Sequence, residues 1–157
     1  MNREEVLKSI QERFKGSIKD FFDKSTKRVY IEIDPKDIRD VVRYHLIDLE
    51  ARFNIASGLD TRFHIEILYH FTIERLGLLI SLRVKLERDK PVIDSIAPLI
   101  KGAAWIEREM HELIGIDFTG HPNLERLLLP DEWPEGVYPL RRDYEEWDKS
   151  AIRDRGV

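Results

Sequence analysis

An α+β domain, with helices packed on a mixed, largely antiparallel sheet and a long extended C-terminal tail, is what the sequence predicts. Three observations carry that prediction. Two stretches, 4–22 and 38–53, repeat apolar residues at steps of three and four, the mark of a buried helical stripe. The runs 28–33, 53–59, 62–73 and 78–86 read as strands, the clearest of them alternating at a period of two. Beyond Ile114 the chain keeps its apolar residues but loses every period, which divides it into a core domain at 1–114 and a tail at 115–157.

The elements follow in order. Val6, Leu7, Ile10, Phe14, Ile18 and Phe21 predict one helix from Glu4 to Phe22, weakened midway by Gly16. Val29, Ile31 and Ile33 alternate with Tyr30 and Glu32 as in a half-buried strand. Asp34 and Pro35 end that strand and start a helix, since Asp34 accepts backbone N–H bonds at the cap and Pro35 needs none at the first position. Ile38, Val41, Val42, His45, Leu46, Leu49 and Phe53 keep the helical period, with His45 read as a packed, hydrogen-bonded histidine. In the strand 62–73, Phe63, Ile65, Ile67, Tyr69, Phe71 and Ile73 face one way, and Leu78, Ile80, Leu82, Val84 and Leu86 answer them. The links Asp60-Thr61 and Glu74–Gly77 are short, so neighbouring strands pair antiparallel. Ser95 is placed to cap a short helix that Gly102 interrupts. A better helix runs from Ala103 to Ile114, with Ala103, Ile106, Met110, Leu113 and Ile114 on its apolar side, Arg108 and Glu112 at ion-pair spacing, and Gly115 as its stop.

Composition narrows the function. At 157 residues one domain with a real core is expected, and no apolar stretch reaches the roughly 20 residues of a membrane span. The start of the chain lacks the apolar run of a secretory signal, so a cytoplasmic, soluble chain is expected. A net charge of -4 offers no basic field for phosphates, and nucleic acid is not an expected partner. With no cysteine, this chain has no disulfide, thiolate zinc site or cysteine-ligated cluster. The high charge and scarce sulfur lean towards a thermophile.

No motif supports catalysis by the chain alone. His64, Glu66 and His70 lie on one strand face, but the two histidines are about 20 Å apart and cannot share an ion. Glu107, His111 and Glu112 with His121 suggest a metal-dependent hydrolase only remotely, because a zincin helix carries two histidines around its acid and this one carries one. No catalytic, cofactor or metal residue is assigned. The tail is the stronger signal: Gly115, Gly120, Pro122, Pro130, Pro134, Gly136 and Pro139 break regular structure, yet its leucines, Trp133 and Tyr138 are too apolar for a free linker. It either covers its own domain or lies on another subunit, and the second reading is favoured. Arg126, Arg141 and Arg142 then serve either as forked donors to partner carboxylates or carbonyls or simply as surface charges.

These residues also carry a resemblance. Glu107, Arg108, Glu109 and Glu112, then Gly115, Phe118, Gly120, His121, Pro122, Leu124 and Arg126, then Pro139, Leu140, Arg141, Arg142 and Asp143 resemble the signature of the 30-kDa subunit family of NADH:quinone oxidoreductase, the respiratory complex I. That family includes a hydrophilic subunit of membrane-bound, energy-converting nickel–iron hydrogenases. The resemblance implies a cofactor-free, non-catalytic assembly subunit of a complex I-related membrane oxidoreductase. Its implied partners are a hydrogenase-like large subunit of the 49-kDa type and a cluster-bearing small subunit. Iron–sulfur clusters and a nickel–iron centre belong to those partners, and attachment to the cytoplasmic side of the membrane is indirect. In this reading the signature residues are interface residues. Glu125 departs from the family, which commonly has a basic residue there. The stop at Val157 and the composition tilt the reading towards a hydrogenase or ferredoxin-linked ion-pumping complex, with the 30-kDa subunit of an NADH:quinone oxidoreductase as the alternative.

Overall fold

Asn2 opens the first helix, α1 (Arg3–Arg13), by a reciprocal cap: its side chain accepts from the Glu5 N–H at 2.9 Å while its own N–H donates to the Glu5 carboxylate at 2.8 Å. The structure, a computed structural model, describes residues 1–145, so the end of the predicted tail, 146–157, lies outside the described residues. The remaining elements are β1 (Ile18–Ser25), β2 (Arg28–Ile33), α2 (Ile38–Ile47), β3 (Arg52–Asp60), β4 (Ile65–Ile73), β5 (Leu78–Leu86), β6 (Val92–Asp94), α3 (Ala103–Ile114) and β7 (Asp117–Thr119). Five strands form one sheet in the order β1-β2-β5-β4-β3. Only β2 and β5 pair parallel in it, because α2, β3 and β4 intervene between them; the other pairs are antiparallel. The α+β class with a mixed, largely antiparallel sheet stands as expected.

Alternation places the core. Ile65, Ile67, Tyr69, Phe71 and Ile73 are buried to within 1% of full burial and meet Val6, Ile10, Ile38, Val42, Met110 and Ile114 of the three helices in a single cluster. The opposite sheet face stays half-exposed. No helix among the described residues is long and apolar enough to cross a membrane.

Several expectations about boundaries are corrected. The predicted helix 4–22 stops at Arg13, and Ile18 to Ser25 is an edge strand. A register shift between Ile18 and Asp20 inserts one residue, so Ile18 and Phe21, three apart, both face the core as they would on a helix. The second helix stops at Ile47 rather than Phe53, because Glu50 turns left-handed (φ 52°) and sends the chain into β3. Asp34 does cap the start, accepting from Lys36 N–H at 3.2 Å, but a single 3-10 turn precedes α2. Phe63 is 72% exposed, since Thr61 closes a turn on His64 and β4 begins only at Ile65. Ser95 caps a turn at Ala97, not a helix, and the short β6 and β7, which pair parallel, escape any test of alternation.

His45 is wholly buried, its Nδ1 lying 2.8 Å from the Val41 carbonyl and its Nε2 without a partner. Burial pushes its pKa from 6.5 down to about 4. The unfolded chain therefore takes up a proton, between those two pH values, that the folded chain refuses. Stability falls as pH drops through that window, by about 3 kcal/mol in all. His45→Leu should remove this part of the acid limb. Urea midpoints for both proteins from pH 7 to pH 4 check it.

Candidate functional site

The residues singled out in the sequence gather along α3 and the chain that follows it. The helix lies directly on β3, and Gly58 makes that possible: a Cβ there would sit 2.7 Å from Ile114 Cδ1 and 3.2 Å from Met110. At the other end Gly115 stops the helix with φ 86°, and its bare Cα packs against the Tyr138 ring, which a Cβ would approach to 2.5 Å. Gly115→Ala should cost about 2 kcal/mol from backbone strain and displacement of Tyr138. Denaturant titration in wild-type and Tyr138→Ala backgrounds separates the two contributions, because the ring clash disappears in the second.

Two acids of α3 that the resemblance makes interface residues, Glu107 and Glu112, are buried within this chain. Glu107 is 1% exposed and points into the domain, accepting from the Ser95 hydroxyl and from Ile96 N–H at 2.7 Å. Burial raises its pKa despite those bonds, and burial, with the Glu107 charge as the second cause, raises that of the enclosed Tyr69 hydroxyl. His121 Nε2 lies 3.8 Å from the same carboxylate and donates to the Ala104 carbonyl at 2.9 Å, while its Nδ1 accepts from Asn123 N–H. The start of the tail is thus sewn to the first turn of α3.

The next turns hold the following segment. Arg108 donates to the carbonyls of Glu125, at 2.8 Å, and Arg126, at 2.6 Å. Glu112, 6% exposed, accepts from the N–H groups of Leu127 at 2.9 Å, Leu128 at 2.6 Å and Leu129 at 3.4 Å. The expected Arg108–Glu112 ion pair gives way to these bonds, because irregular backbone beside a helix must find donors and acceptors somewhere. Further on, Leu140 N–H donates to the Leu113 carbonyl at 3.0 Å. Arg141 donates to the Ile114 and Arg88 carbonyls, and Arg142 N–H to Asp60 at 2.8 Å. The described tail runs along α3 from its first turn to its last and then reaches the β3–β4 turn.

The remaining predicted residues divide by exposure. Phe118 is buried in β7, Leu124 packs against the core, and Gly120 follows the Thr119 carbonyl that Arg39 holds. Arg126 turns back to the Pro130 carbonyl, Glu109 and Pro139 are half-buried, and Pro122, Leu140, Arg142 and Asp143 are exposed. Among the described residues no group of three or more His, Asp or Glu side chains is disposed to hold a metal ion.

Sequence reasoning missed Arg39, Asp60 and Arg88. Arg39 of α2 donates to the Ser95 and Thr119 carbonyls, 56 and 80 residues away, and locks β6 and β7 to the domain. Asp60, its side chain 1% exposed, pairs with Arg88 and receives Arg142 N–H. Their partners are mostly distant backbone groups, for which a single sequence carries no signal.

Over 157 residues the chain is 31% identical to a subunit of the F(420)H(2) dehydrogenase of Methanosarcina mazei, covering 98% of this chain and 99% of that protein. It is 29% identical to the membrane-bound hydrogenase subunit beta of Pyrococcus furiosus, covering 98% and 92% of the two chains. A chain of the archaeal membrane-bound sulfane sulfur reductase has the same fold, with a TM-score of 0.78 over 96% of this chain and 88% of that one at 23% identity. Residues 31–149 match the profile of the respiratory-chain NADH dehydrogenase 30 Kd subunit, and the chain belongs to that family.

Proposed function

We propose that this chain is a non-catalytic assembly subunit in the hydrophilic arm of a complex I-related membrane oxidoreductase, of the membrane-bound hydrogenase or ferredoxin-linked ion-pumping kind. The observation that carries this reading is how the signature residues are used: Arg108, Glu112 and Arg141 spend their polar groups on the backbone of the tail and its neighbours. A reacting centre would leave such groups facing a substrate; here they hold a shape. Full-length similarity to subunits of a hydrogenase and of a dehydrogenase supports the class of complex. The 30-kDa subunit of an NADH:quinone oxidoreductase is the second reading, favoured by the family itself.

In either case the chain is a rigid mount. Its neighbours are a large subunit of the 49-kDa type and a small subunit with iron–sulfur clusters, the nickel–iron centre of a hydrogenase lying in the large one. Attachment to the cytoplasmic side of the membrane runs through those neighbours. Gentle affinity purification of the tagged chain from solubilised native membranes, with peptide identification and metal analysis, tests this. Recovery with a large, a cluster-bearing and membrane subunits is expected, and nickel selects the hydrogenase. Recovery alone with stoichiometric metal overturns the reading in favour of a stand-alone hydrolase.

A further inference from the structure

A sheet of five strands ends in two edges, and here the two are guarded unequally. The outer strands are β1 and β3. Two register shifts break the ladder along β1, and Lys19, Asp20, Asp23 and Lys24 stand on it; bulges and charges of this kind keep other strands from adding. Along β3 the shift falls between Phe53 and Ile55, and from Ile55 to Asp60 the register with β4 is unbroken. Residues 53–59 contain neither a charge nor a proline. Alternate residues of an edge strand aim N–H and C=O away from the sheet, and among the described residues no group bonds to those of Asn54 to Leu59.

The side chains of β3 match a second copy of the same strand. Ala56 lies opposite Tyr69 and is buried, so Ile55, Ser57 and Leu59 share the other, open face, where Ile55 and Leu59 are exposed. A two-fold axis through Ser57, normal to the sheet, sets Ile55 of each copy against Leu59 of the other and Ser57 against itself. On the core face the same axis sets Ala56 against Gly58, two residues too small to obstruct the approach. An axis one residue away, at Ala56, would instead set Leu59 against Phe53, which the register shift turns to the core beside Phe71. The chain's own end is a poor occupant: Glu146, Asp148, Lys149, Arg153, Asp154 and Arg155 leave it no uncharged run longer than three residues.

We infer that β3 is a self-complementary edge through which two copies of this chain pair antiparallel about Ser57, joining their sheets into one. This pairing goes beyond the chain's place in a larger complex and does not depend on it.

Sedimentation of the isolated full-length chain over a range of concentrations, together with single-cysteine cross-linking, tests it. The wild-type chain should pass from monomer to dimer as concentration rises. Because the chain has no cysteine, Ser57→Cys carries a single thiol, and antiparallel partners across the axis bring two such Cα atoms to about 4.5–5.5 Å, within disulfide reach. Under mild oxidation it should form a covalent dimer several-fold faster than Lys24→Cys on the β1 edge. Ile55→Glu alone should abolish the dimer while keeping the wild-type urea midpoint, and adding Leu59→Lys should restore it, since opposite charges then face each other across the axis. A wild-type chain that stays monomeric at every concentration overturns the pairing, and so does Ser57→Cys cross-linking no faster than Lys24→Cys. A double variant that stays monomeric overturns the axis at Ser57. A dimer that forms only after residues 146–157 are removed identifies the chain's own end as occupant of the edge and overturns the second copy.

Discussion

Replacing Glu107 by alanine is expected to lower the unfolding free energy by about 3 kcal/mol, since it strands a buried backbone donor and a buried hydroxyl at once. Ile96 N–H and the Ser95 hydroxyl both end on this carboxylate, inside a region where water cannot replace it. Glu107→Gln should cost less, because its carbonyl oxygen still accepts from Ile96. Equilibrium urea unfolding at pH 7 ranks the three proteins, and equal midpoints for wild type and Glu107→Ala would refute the buried role. The titration carries its own sign. Burial raises the folded pKa of Glu107 above 4.5, so the proton-linked part of its contribution is fully present below that pH and is lost as pH rises through the folded value. Glu107→Gln should therefore narrow its deficit as pH rises from 4.5 towards neutrality.

Glu112→Ala should act on the tail rather than on the whole domain. Its carboxylate gathers three backbone N–H groups, and hydrogen bonds to a charged group are worth about 1.5–3 kcal/mol each. Losing it should favour local opening of 124–130 by about 3 kcal/mol, roughly a hundredfold in the opening equilibrium. Limited trypsin digestion reads this directly. Cleavage after Arg126 should accelerate greatly while cleavage after Arg43 in α2 stays slow, and the opened chain should no longer be recovered with partner subunits. Unchanged cleavage at Arg126 would mean that something other than Glu112 holds the segment.

Legibility in the sequence followed the physics of each element. Arg28 to Ile33 and Leu78 to Leu86 are found at their expected bounds because one buried face imposes a period of two. Ala103 to Ile114 is found because a helix with a clean stop at Gly115 declares both its stripe and its end. The start of β1, Ile18 to Phe22, reads as helix for a definite reason: a bulge in a strand reproduces the three-residue spacing of a helix.

The side chains of the candidate site could be named from the sequence, but their orientation could not. Glu107 and Glu112 are charged letters on an amphipathic helix, and periodicity assigns such letters to water. What buries them is a supply of backbone N–H groups from Ile96 and from Leu127 to Leu129, which no side-chain pattern displays. The same holds for Arg39, whose acceptors are carbonyls far along the chain. Gly115 is the opposite case: its left-handed turn could be placed from the sequence, whereas the Tyr138 ring filling the missing side chain's space could not.

Helix α3 holds the described part of the tail against its own domain. Amide hydrogen exchange of Leu127, Leu128 and Leu129 in the isolated full-length chain tests this most directly. Slow exchange is expected at all three, slowest at Leu128, whose N–H lies 2.6 Å from Glu112, with loss of that protection in Glu112→Ala. Exchange in the isolated wild-type chain as fast as in an unstructured peptide would contradict it, and would mean that the tail takes its form only from a partner.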